Sequence, residues 1–259
     1  MTTIEKIKRL RKNVKNWYLR PLERFGLVGK SVTYKLQNGL NFTFKSRTAR
    51  STLSIVEEQI ESDPYNTPAV ELQDGDMVLD IGANCGAFAL FQAKNFPGIS
   101  VVAFEPDPEN YDYLLENIKS NDFSECIKTE KKAVVGKKTS DYVSLSLHPD
   151  QSGSHSIMDT GWSDEADVTK VPVVEFNEVL EKYSSKKDIA FVKMDCEGAE
   201  HDILMNTKPE LLLKIRFLSL EYHKLPGHPL EDLKKHLNDV GFRVEETSLP
   251  GIWHCFNVA

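Results

Sequence analysis

Long apolar runs are missing from this sequence of 259 residues. Nowhere do about 18 or more apolar residues follow one another, which is the length that a membrane-spanning helix needs. The first residues also lack an apolar stretch followed by small residues, the pattern of a secretory signal. We therefore expect neither a spanning helix nor a signal peptide, and we predict a cytoplasmic protein.

Cysteine is scarce as well, and the four cysteines lie far apart in the sequence. They form no Cys-x-x-Cys pair, so their spacing indicates neither a zinc site nor a disulfide framework. Reduced cysteines of this kind are typical of cytoplasmic proteins.

Positive charge is concentrated at the start of the chain. Residues 1–30 hold nine basic residues against two acidic ones, a net charge of +7, whereas the whole chain carries −7 and the remainder therefore −14. The acidic body argues against nucleic-acid binding. Apolar residues at helical spacing among these bases predict a helix over residues 2–19. Its apolar stripe either packs on the domain or makes a peripheral membrane contact through residues 1–20.

A β-hairpin is predicted over residues 31–46, where two alternating apolar segments flank Asn38-Gly39, a favoured hairpin turn. The basic helix and this hairpin together form an N-terminal extension, residues 1–50. The main domain is expected to occupy residues 51–259.

Short apolar runs alternate with helix-like segments from residue 76 onward. The runs span residues 77–81, 101–104, 127–135, 189–194 and 215–220. Runs of this kind predict parallel strands that helices cover on both faces. Two last runs, 242–247 and 252–258, are joined by a short turn and predict an antiparallel hairpin. The sequence thus indicates an α/β, Rossmann-like domain with a mixed seven-stranded sheet.

One long stretch, residues 137–171, is polar and without clear periodicity. We expect an irregular loop there, of the kind that either borders a site or lies on the surface. It contains His155, a weaker candidate for a catalytic base.

A glycine-containing turn follows the first predicted strand of the main domain. Residues 80–86 read Asp-Ile-Gly-Ala-Asn-Cys-Gly, and a helix is expected to begin near Gly86. The next predicted strand ends at Glu105, 19 residues after Gly86. In strand–helix–strand folds an acid about 20 residues after the loop can accept hydrogen bonds from a ribose.

Dinucleotides and S-adenosylmethionine both carry such a ribose, and two observations favour the second. The G-x-G-x-x-G spacing of dinucleotide sites fails, because Asn84 stands at the second glycine position. Asp80 at the end of the strand would repel a pyrophosphate, but it suits the ammonium group of a cationic ligand. The residues predicted to hold this donor are Asp80, Gly82, Ala83, Asn84, Gly86, Glu105 and Pro106.

Acidic residues follow two later strands. Asp195, Glu197 and Glu200 come after one, and His223 follows the other. The carboxyl ends of neighbouring parallel strands line the ligand crevice of such sheets. Methyl transfer requires alignment of the acceptor with the methyl group, and a nearby carboxylate or imidazole can take up a proton that the acceptor loses, so we predict catalytic roles for Asp195, Glu197 and His223. Glu200 opens a helix, where an acid is favourable in any case.

The side chains of Asp195, Glu197, Glu221 and His223 are of the types that bind divalent ions. No dedicated metal-binding spacing accompanies them, so no metal is expected.

Three motifs together resemble the FkbM family of methyltransferases. They are the turn of residues 80–86, the sequence Phe-Glu-Pro-Asp-Pro-Glu-Asn from Phe104, and Lys-Met-Asp-Cys-Glu-Gly-Ala-Glu from Lys193, within a resemblance over about residues 53–225. The resemblance implies a class I methyltransferase fold, S-adenosylmethionine as the donor, and O-methylation of sugar or natural-product hydroxyls. It also implies that Ala133 and Val134 lie beside the adenine.

The expected function is therefore O-methylation of a hydroxyl on a small-molecule or glycan acceptor. One alternative is an N-methyltransferase, which the sequence disfavours because Asp195-Cys196-Glu197-Gly198 replaces the Asn/Asp-Pro-Pro-aromatic motif. Another is a non-catalytic protein that retains the fold and docks on a membrane or a partner, as the charge of residues 1–30 suggests. The sequence leaves the oligomeric state open.

Overall fold

A computed structural model describes residues 3–46, 49–65, 67–147, 167–224, 226–249 and 251–259. Within these ranges the strands are β1 (Ser31–Lys35), β2 (Asn41–Lys45), β3 (Met77–Ile81), β4 (Ser100–Phe104), β5 (Ile127–Glu130), β6 (Ala133–Val135), β7 (Tyr142–Leu147), β8 (Asp167–Glu175), β9 (Ile189–Met194), β10 (Ile215–Glu221), β11 (Phe242–Glu246) and β12 (Ile252–Asn257). The helices of the same ranges are α1 (Thr3–Asn13), α2 (Leu19–Arg24), α3 (Ala49–Glu61), α4 (Ala87–Asn95), α5 (Pro108–Ser120), α6 (Phe176–Tyr183), α7 (Glu200–Met205), α8 (Pro209–Leu212) and α9 (Leu230–Val240). None of these helices combines the length and the apolar character that a bilayer crossing requires.

A seven-stranded sheet forms the centre of the fold, in the order β11-β12-β10-β9-β3-β4-β5. The five strands from β10 to β5 run parallel to one another. β12 pairs antiparallel with both β10 and β11. The predicted Rossmann-like sheet with a C-terminal antiparallel hairpin is confirmed. Since parallel strands end at one edge, the residues that follow β3, β4, β9 and β10 meet there.

Alternate residues of the central strands face two separate hydrophobic layers. On one side Val78 and Phe191 pack with residues of α3, α4 and α5. On the other side Leu79 and Val192 pack with residues of α6, α7 and α9. Every residue of β9 is buried, as expected for a parallel strand that is covered on both faces.

The N-terminal elements pack on the first of these layers. Leu10 of α1, together with Tyr34 and Phe42 of the β1–β2 hairpin, is buried in the same cluster as Leu114 of α5. The division of the chain at residue 50 stays a prediction, because the described residues on its two sides share one core.

The predicted helix over residues 2–19 is wrong in its second half, since α1 ends and α2 begins within this range. Asn16 lies in the interruption. Its side-chain amide donates to the carbonyl oxygen of Thr33 at 2.9 Å and accepts from the backbone N–H of Lys35 at 2.8 Å. Asparagine competes with helical bonding in this way, and here it ties the interruption to β1.

The single strand predicted over residues 127–135 is also wrong. The segment forms β5 in the central sheet and β6 in a three-stranded sheet of order β6-β8-β7. The segment changes its pairing partner at Lys131 and Lys132, since β5 pairs with β4 and β6 pairs with β8.

The predicted irregular loop over residues 137–171 is wrong at both of its ends. β7 and β8 pair antiparallel there, and Leu145 and Val171 are buried in a small core of their own. His155 lies outside the described residues.

Asn117 of α5 and Asn121, which directly follows α5, pair with the outer edge of the hairpin. Asn117 accepts from the backbone N–H of Thr43 at 2.7 Å and donates to the carbonyl oxygens of Thr43 (3.2 Å) and Cys85 (3.0 Å). Asn121 makes the same pair of bonds to the backbone of Asn41. Asn117 is fully buried, so it holds the extension, α5 and the turn after β3 together.

Replacing Asn117 by Leu should lower the free energy of unfolding by about 2–4 kcal/mol, because buried backbone groups of Thr43 and Cys85 lose their partners. Urea denaturation measures the change. Glu116→Leu, at an exposed position of the same helix, is the matched control. Equal stabilities of the two variants would contradict the bridging role of Asn117.

Candidate active site

The turn between β3 and α4 lies tightly against the turn that follows β9. Gly82 has a φ of +79°, and a Cβ atom there would collide with the backbone carbonyl oxygen of Asp195. Glycine tolerates both conditions, because it has no side chain. The N–H groups of Gly82 and Ala83 donate to the carbonyl oxygen of Phe104 at 3.0 and 2.9 Å. The ends of β3, β4 and β9 therefore converge at this turn.

Glu105 lies directly after β4, beside this turn. Its two carboxylate oxygens accept hydrogen bonds from the backbone N–H groups of Asn84 (2.7 Å) and Asp107 (2.8 Å). Burial raises the pKa of the Glu105 carboxyl to about 8, although the two N–H donors oppose the rise. Each carboxylate oxygen has a second lone pair, so ribose hydroxyls can also donate to Glu105.

Lys193 is a buried cation of β9. Its Nζ donates to the carbonyl oxygen of Gly82 at 2.6 Å and lies 3.2 Å from an Asp80 oxygen and 3.8 Å from an Asp195 oxygen. Burial alone would lower the pKa of Lys193, but the charges of Asp80 and Asp195 outweigh this effect and raise it. The ammonium therefore stays charged, and it joins the ends of β3 and β9.

A cavity of about 410 Å³ opens at this edge of the sheet, a volume suited to a cofactor-sized ligand. The predicted donor-binding residues that line it are Gly82, Ala83, Asn84, Glu105, Pro106, Ala133 and Val134. Asp80 and Gly86 are not part of the lining, since Asp80 is buried beside Lys193 and Gly86 precedes α4. A contact of Asp80 with the ligand's ammonium stays a prediction.

The three predicted catalytic residues come together near the end of β9. Asp195 and Glu197 line the cavity, as does Glu221. His223 lies outside the lining, with its Nε2 3.3 Å from Glu197 Oε2. Its Nδ1 is 3.2 Å from Glu200 Oε1. His223 is thus placed between two carboxylates, of which only that of Glu197 lines the cavity.

Glu200 has a larger part in this arrangement than the sequence indicates. Its carboxylate accepts from the backbone N–H groups of Cys196 (2.7 Å) and Gly198 (3.1 Å), besides meeting His223. These bonds fix the turn in which Glu197 has a φ of +52°, an unusual conformation for a residue with a side chain. The sequence does hold one signal for this role, because Glu200 follows Cys196 by four residues, close enough for its side chain to reach the backbone N–H of Cys196.

Two glutamates at this end of the cavity have raised pKa values. Burial raises the pKa of Glu197 to about 8 and that of Glu221 to about 7, and the charge of Asp195 adds to both. Burial alone would lower the pKa of His223, but its bond to Glu200 and the nearby carboxylates raise it to about 9. The imidazole is therefore cationic at neutral pH, whereas the carboxyls of Glu197 and Glu221 have pKa values close to neutral pH.

Elements that precede β3 complete the cavity, and the sequence does not predict this part of their role. The Tyr65 hydroxyl donates to Asp195 Oδ2 at 3.1 Å, and the Tyr65 ring lies 5.4 Å from Lys193 Nζ, within cation–π range. Glu58 and Gln59 of α3 belong to the lining. Tyr65 and Asp195 are 130 positions apart, so no local pattern signals their contact.

Asp195, Glu197 and His223 each offer a ligand atom within 4.8 Å of the others. This arrangement could hold a divalent ion. Two cations already face these carboxylates, however, since Lys193 lies 3.8 Å from Asp195 and the raised pKa of His223 keeps it charged. That no metal is used stays a prediction.

Comparison with known proteins places this geometry in a family. The family model described as the methyltransferase FkbM domain matches residues 80–244. The chain belongs to the FkbM family of methyltransferases. The match spans more than half of the chain and includes both the glycine turn and the acidic turn after β9.

Curated relatives and a solved structure are similar to the chain. The 31-O-demethyl-FK506 methyltransferase FkbM of Streptomyces tacrolimicus is 26% identical over 205 residues, 70% of this chain and 77% of the relative. The hexuronic acid methyltransferase AglP of Haloferax volcanii is 26% identical over 211 residues, which cover 78% of this chain and 80% of the relative. The M. jannaschii TYW2 structure in complex with AdoMet has 18% identity and a TM-score of 0.42, over 88% of this chain and 84% of that chain.

FkbM-family methyltransferases use S-adenosylmethionine, and the residues of this cavity fit it. Glu105 has lone pairs for ribose hydroxyls, and the lining near Ala133 and Val134 is apolar, as an adenine ring requires. The lining holds more carboxylates than ammonium groups, which suits a ligand with a positively charged sulfur.

Replacing Glu105 by Gln should raise the dissociation constant of S-adenosylmethionine about 2- to 10-fold, because one acceptor oxygen becomes an NH2 group that cannot accept from a ribose hydroxyl, and a hydrogen bond is worth roughly 0.5–1.5 kcal/mol. Titration calorimetry measures the affinity. Glu109→Gln, at an exposed position of α5, is the control. An unchanged dissociation constant in a folded Glu105→Gln protein would exclude the ribose contact.

Replacing Lys193 by Met should lower the free energy of unfolding by about 3–5 kcal/mol, because Asp80 becomes a buried charge without its partner. The double variant Asp80→Asn/Lys193→Met should recover part of this loss. Denaturant unfolding of the two variants and of Asp80→Asn completes a double-mutant cycle. A zero coupling energy in this cycle would show that the pair does not act as a unit.

Proposed function

We propose that this methyltransferase transfers the methyl group of S-adenosylmethionine to a hydroxyl of a small-molecule or glycan acceptor, with Glu197 as the base. The observation that carries the proposal is the carboxyl of Glu197 on the cavity wall, with its pKa raised to about 8. A general base acts best when its pKa lies near the working pH.

The need for a base distinguishes hydroxyl from amine acceptors. The bound donor supplies an electrophilic methyl group. A neutral amine already has a lone pair that can attack this carbon, whereas a hydroxyl becomes a strong nucleophile only as it loses its proton. A carboxylate of raised pKa, on the wall and in reach of an acceptor, therefore favours O-methylation over N-methylation.

The neighbours of Glu197 have distinct parts in this proposal. His223 is a positioning residue, because its Nε2 lies 3.3 Å from Glu197 and Glu200 fixes its other nitrogen. Its positive charge stabilises the ionised form of Glu197. Asp195 accepts from Tyr65 and lies near Lys193, so it adds negative charge to the donor side of the cavity instead of taking the proton.

The acceptor class draws support from two relatives. The name of one specifies methylation at an oxygen of FK506, and the name of the other specifies hexuronic acid. Natural-product alcohols and acidic sugars both carry hydroxyls, and neither requires an amine-binding site.

Replacing Glu197 by Gln should lower kcat by about 10²–10⁴-fold, the usual contribution of a general base, with little change in donor affinity. Formation of S-adenosylhomocysteine is measured with a panel of hexuronic acids, hexoses, macrolide alcohols and amino sugars. The wild-type kcat/KM should rise with pH up to about 8, because Glu197 must be ionised. Glu197→Gln should lose this rise.

His223→Asn should move that rise to higher pH, because a cation beside Glu197 is removed. A purely structural role of His223 would lower the rate without shifting the profile. The control is Glu210→Gln, exposed on α8. Methylation of the amino sugars at nitrogen alone, located in the product by NMR, would contradict O-methylation, and donor binding without turnover of any acceptor would favour a non-catalytic protein.

A further inference from the structure

Four large apolar side chains are exposed together between residues 18 and 27. They are Tyr18 (55% exposed), Leu22 (38%), Phe25 (74%) and Leu27 (69%), and we refer to them as the apolar patch. Exposed apolar side chains that cluster in this way mark interaction surfaces more often than single ones do.

The apolar patch is held on ordered backbone. At the end of α2, the N–H of Gly26 donates to the carbonyl of Glu23 at 2.9 Å and that of Leu27 to the carbonyl of Leu22 at 2.8 Å. This is a Schellman motif, which requires the left-handed conformation found at Gly26, with a φ of +67°. The motif brings Leu27 back beside Leu22, so these two side chains share one surface.

α2 is in turn tied to the hairpin. The buried carboxylate of Glu23 accepts from Arg20 at 2.9 Å and from the Tyr34 hydroxyl at 2.7 Å. The apolar patch therefore has a fixed position relative to the methyltransferase core.

The apolar stripe predicted for residues 2–19 is buried in part, and membrane contact through residues 1–20 stays a prediction. Leu10 and Val14 of that stripe are buried against the domain. Among the described side chains of the extension, the large apolar ones that are exposed form the apolar patch, which begins with Tyr18 of the same stripe.

Exposed cations surround this part of the chain. Those that precede and follow the apolar patch in the sequence are Lys8, Arg11, Lys12, Lys15 and Lys30. Residues 1–30 carry +7 against −14 for the rest of the chain, and Glu23, one of their two acids, is neutralised by Arg20. The segment that carries the apolar patch is thus positive, whereas the rest of the chain is acidic.

We propose that the apolar patch and its flanking cations dock on an anionic lipid bilayer. Apolar side chains that enter the headgroup region, with lysines and arginines beside them, are what interfacial binding requires. Nucleic acid would use the cations but leave Phe25 and Leu27 without a partner. A second copy of the chain would bring two +7 segments together, which charge repulsion opposes.

Co-sedimentation of the full-length protein with vesicles tests the proposal. Binding is expected to phosphatidylcholine–phosphatidylglycerol vesicles and not to phosphatidylcholine alone, and it should weaken as salt screens the cations. Phe25→Ser/Leu27→Ser should lower the partition coefficient on the order of tenfold or more, because two apolar side chains no longer leave water. Lys12→Glu/Lys15→Glu should lower it as well.

The matched control is Tyr142→Ser/Val168→Ser, which removes two apolar side chains of similar exposure (58% and 60%) outside the extension. Each variant should keep the wild-type affinity for S-adenosylmethionine, which shows that it is folded. Failure of the wild-type protein to bind the anionic vesicles would overturn the proposal, as would full binding by Phe25→Ser/Leu27→Ser. A dimer in light scattering that this double variant converts to a monomer would assign the apolar patch to a second copy.

Discussion

The buried salt bridge between Lys193 and Asp80 is the interaction on which the candidate site depends. Both groups have left water for the interior, where neither charge is stable without the other. The same ammonium binds the carbonyl oxygen of Gly82, which draws the turn after β3 against the turn after β9. That contact leaves no room for a Cβ atom at Gly82. Asp80, Lys193 and Gly82 therefore depend on one another, although they come from two different strands and from the turn that follows β3.

The cavity that results holds more carboxyl groups than ammonium groups. The carboxyls of its lining are those of Glu58, Glu105, Asp195, Glu197 and Glu221, whereas its ammonium groups are those of Lys132 and Lys193. Burial, together with the charge of Asp195, holds the pKa values of Glu197 and Glu221 close to neutrality. A positively charged donor lowers these pKa values when it binds, because it favours ionised carboxylates. Donor binding and the readiness of Glu197 to accept a proton are thereby coupled.

The sequence predicts the central sheet well, because parallel strands covered on both faces appear as short apolar runs. It also predicts Glu105 and the glycine turn, since their spacing along one strand–helix–strand unit is local. The interruption at Asn16 and the separation of β5 from β6 at Lys131 are missed, because pairing with another element decides them. The contact of Tyr65 with Asp195 and the place of Glu200 beside His223 are missed for the same reason. Only the assembled sheet edge brings these groups together.

The distribution of charge explains why the basic segment lies outside the acidic cavity. Lysines free to reach the carboxylates of the lining would neutralise them and compete with a cationic donor. α3 contacts both regions, because it meets α1 through the ion pair of Glu61 with Arg9 and contributes Glu58 and Gln59 to the cavity. A bilayer that carries negative charge would bind the basic side of this arrangement and be repelled by the acidic body. The fold can therefore present a basic segment to a membrane and an acidic cavity to a donor, and neither neutralises the other.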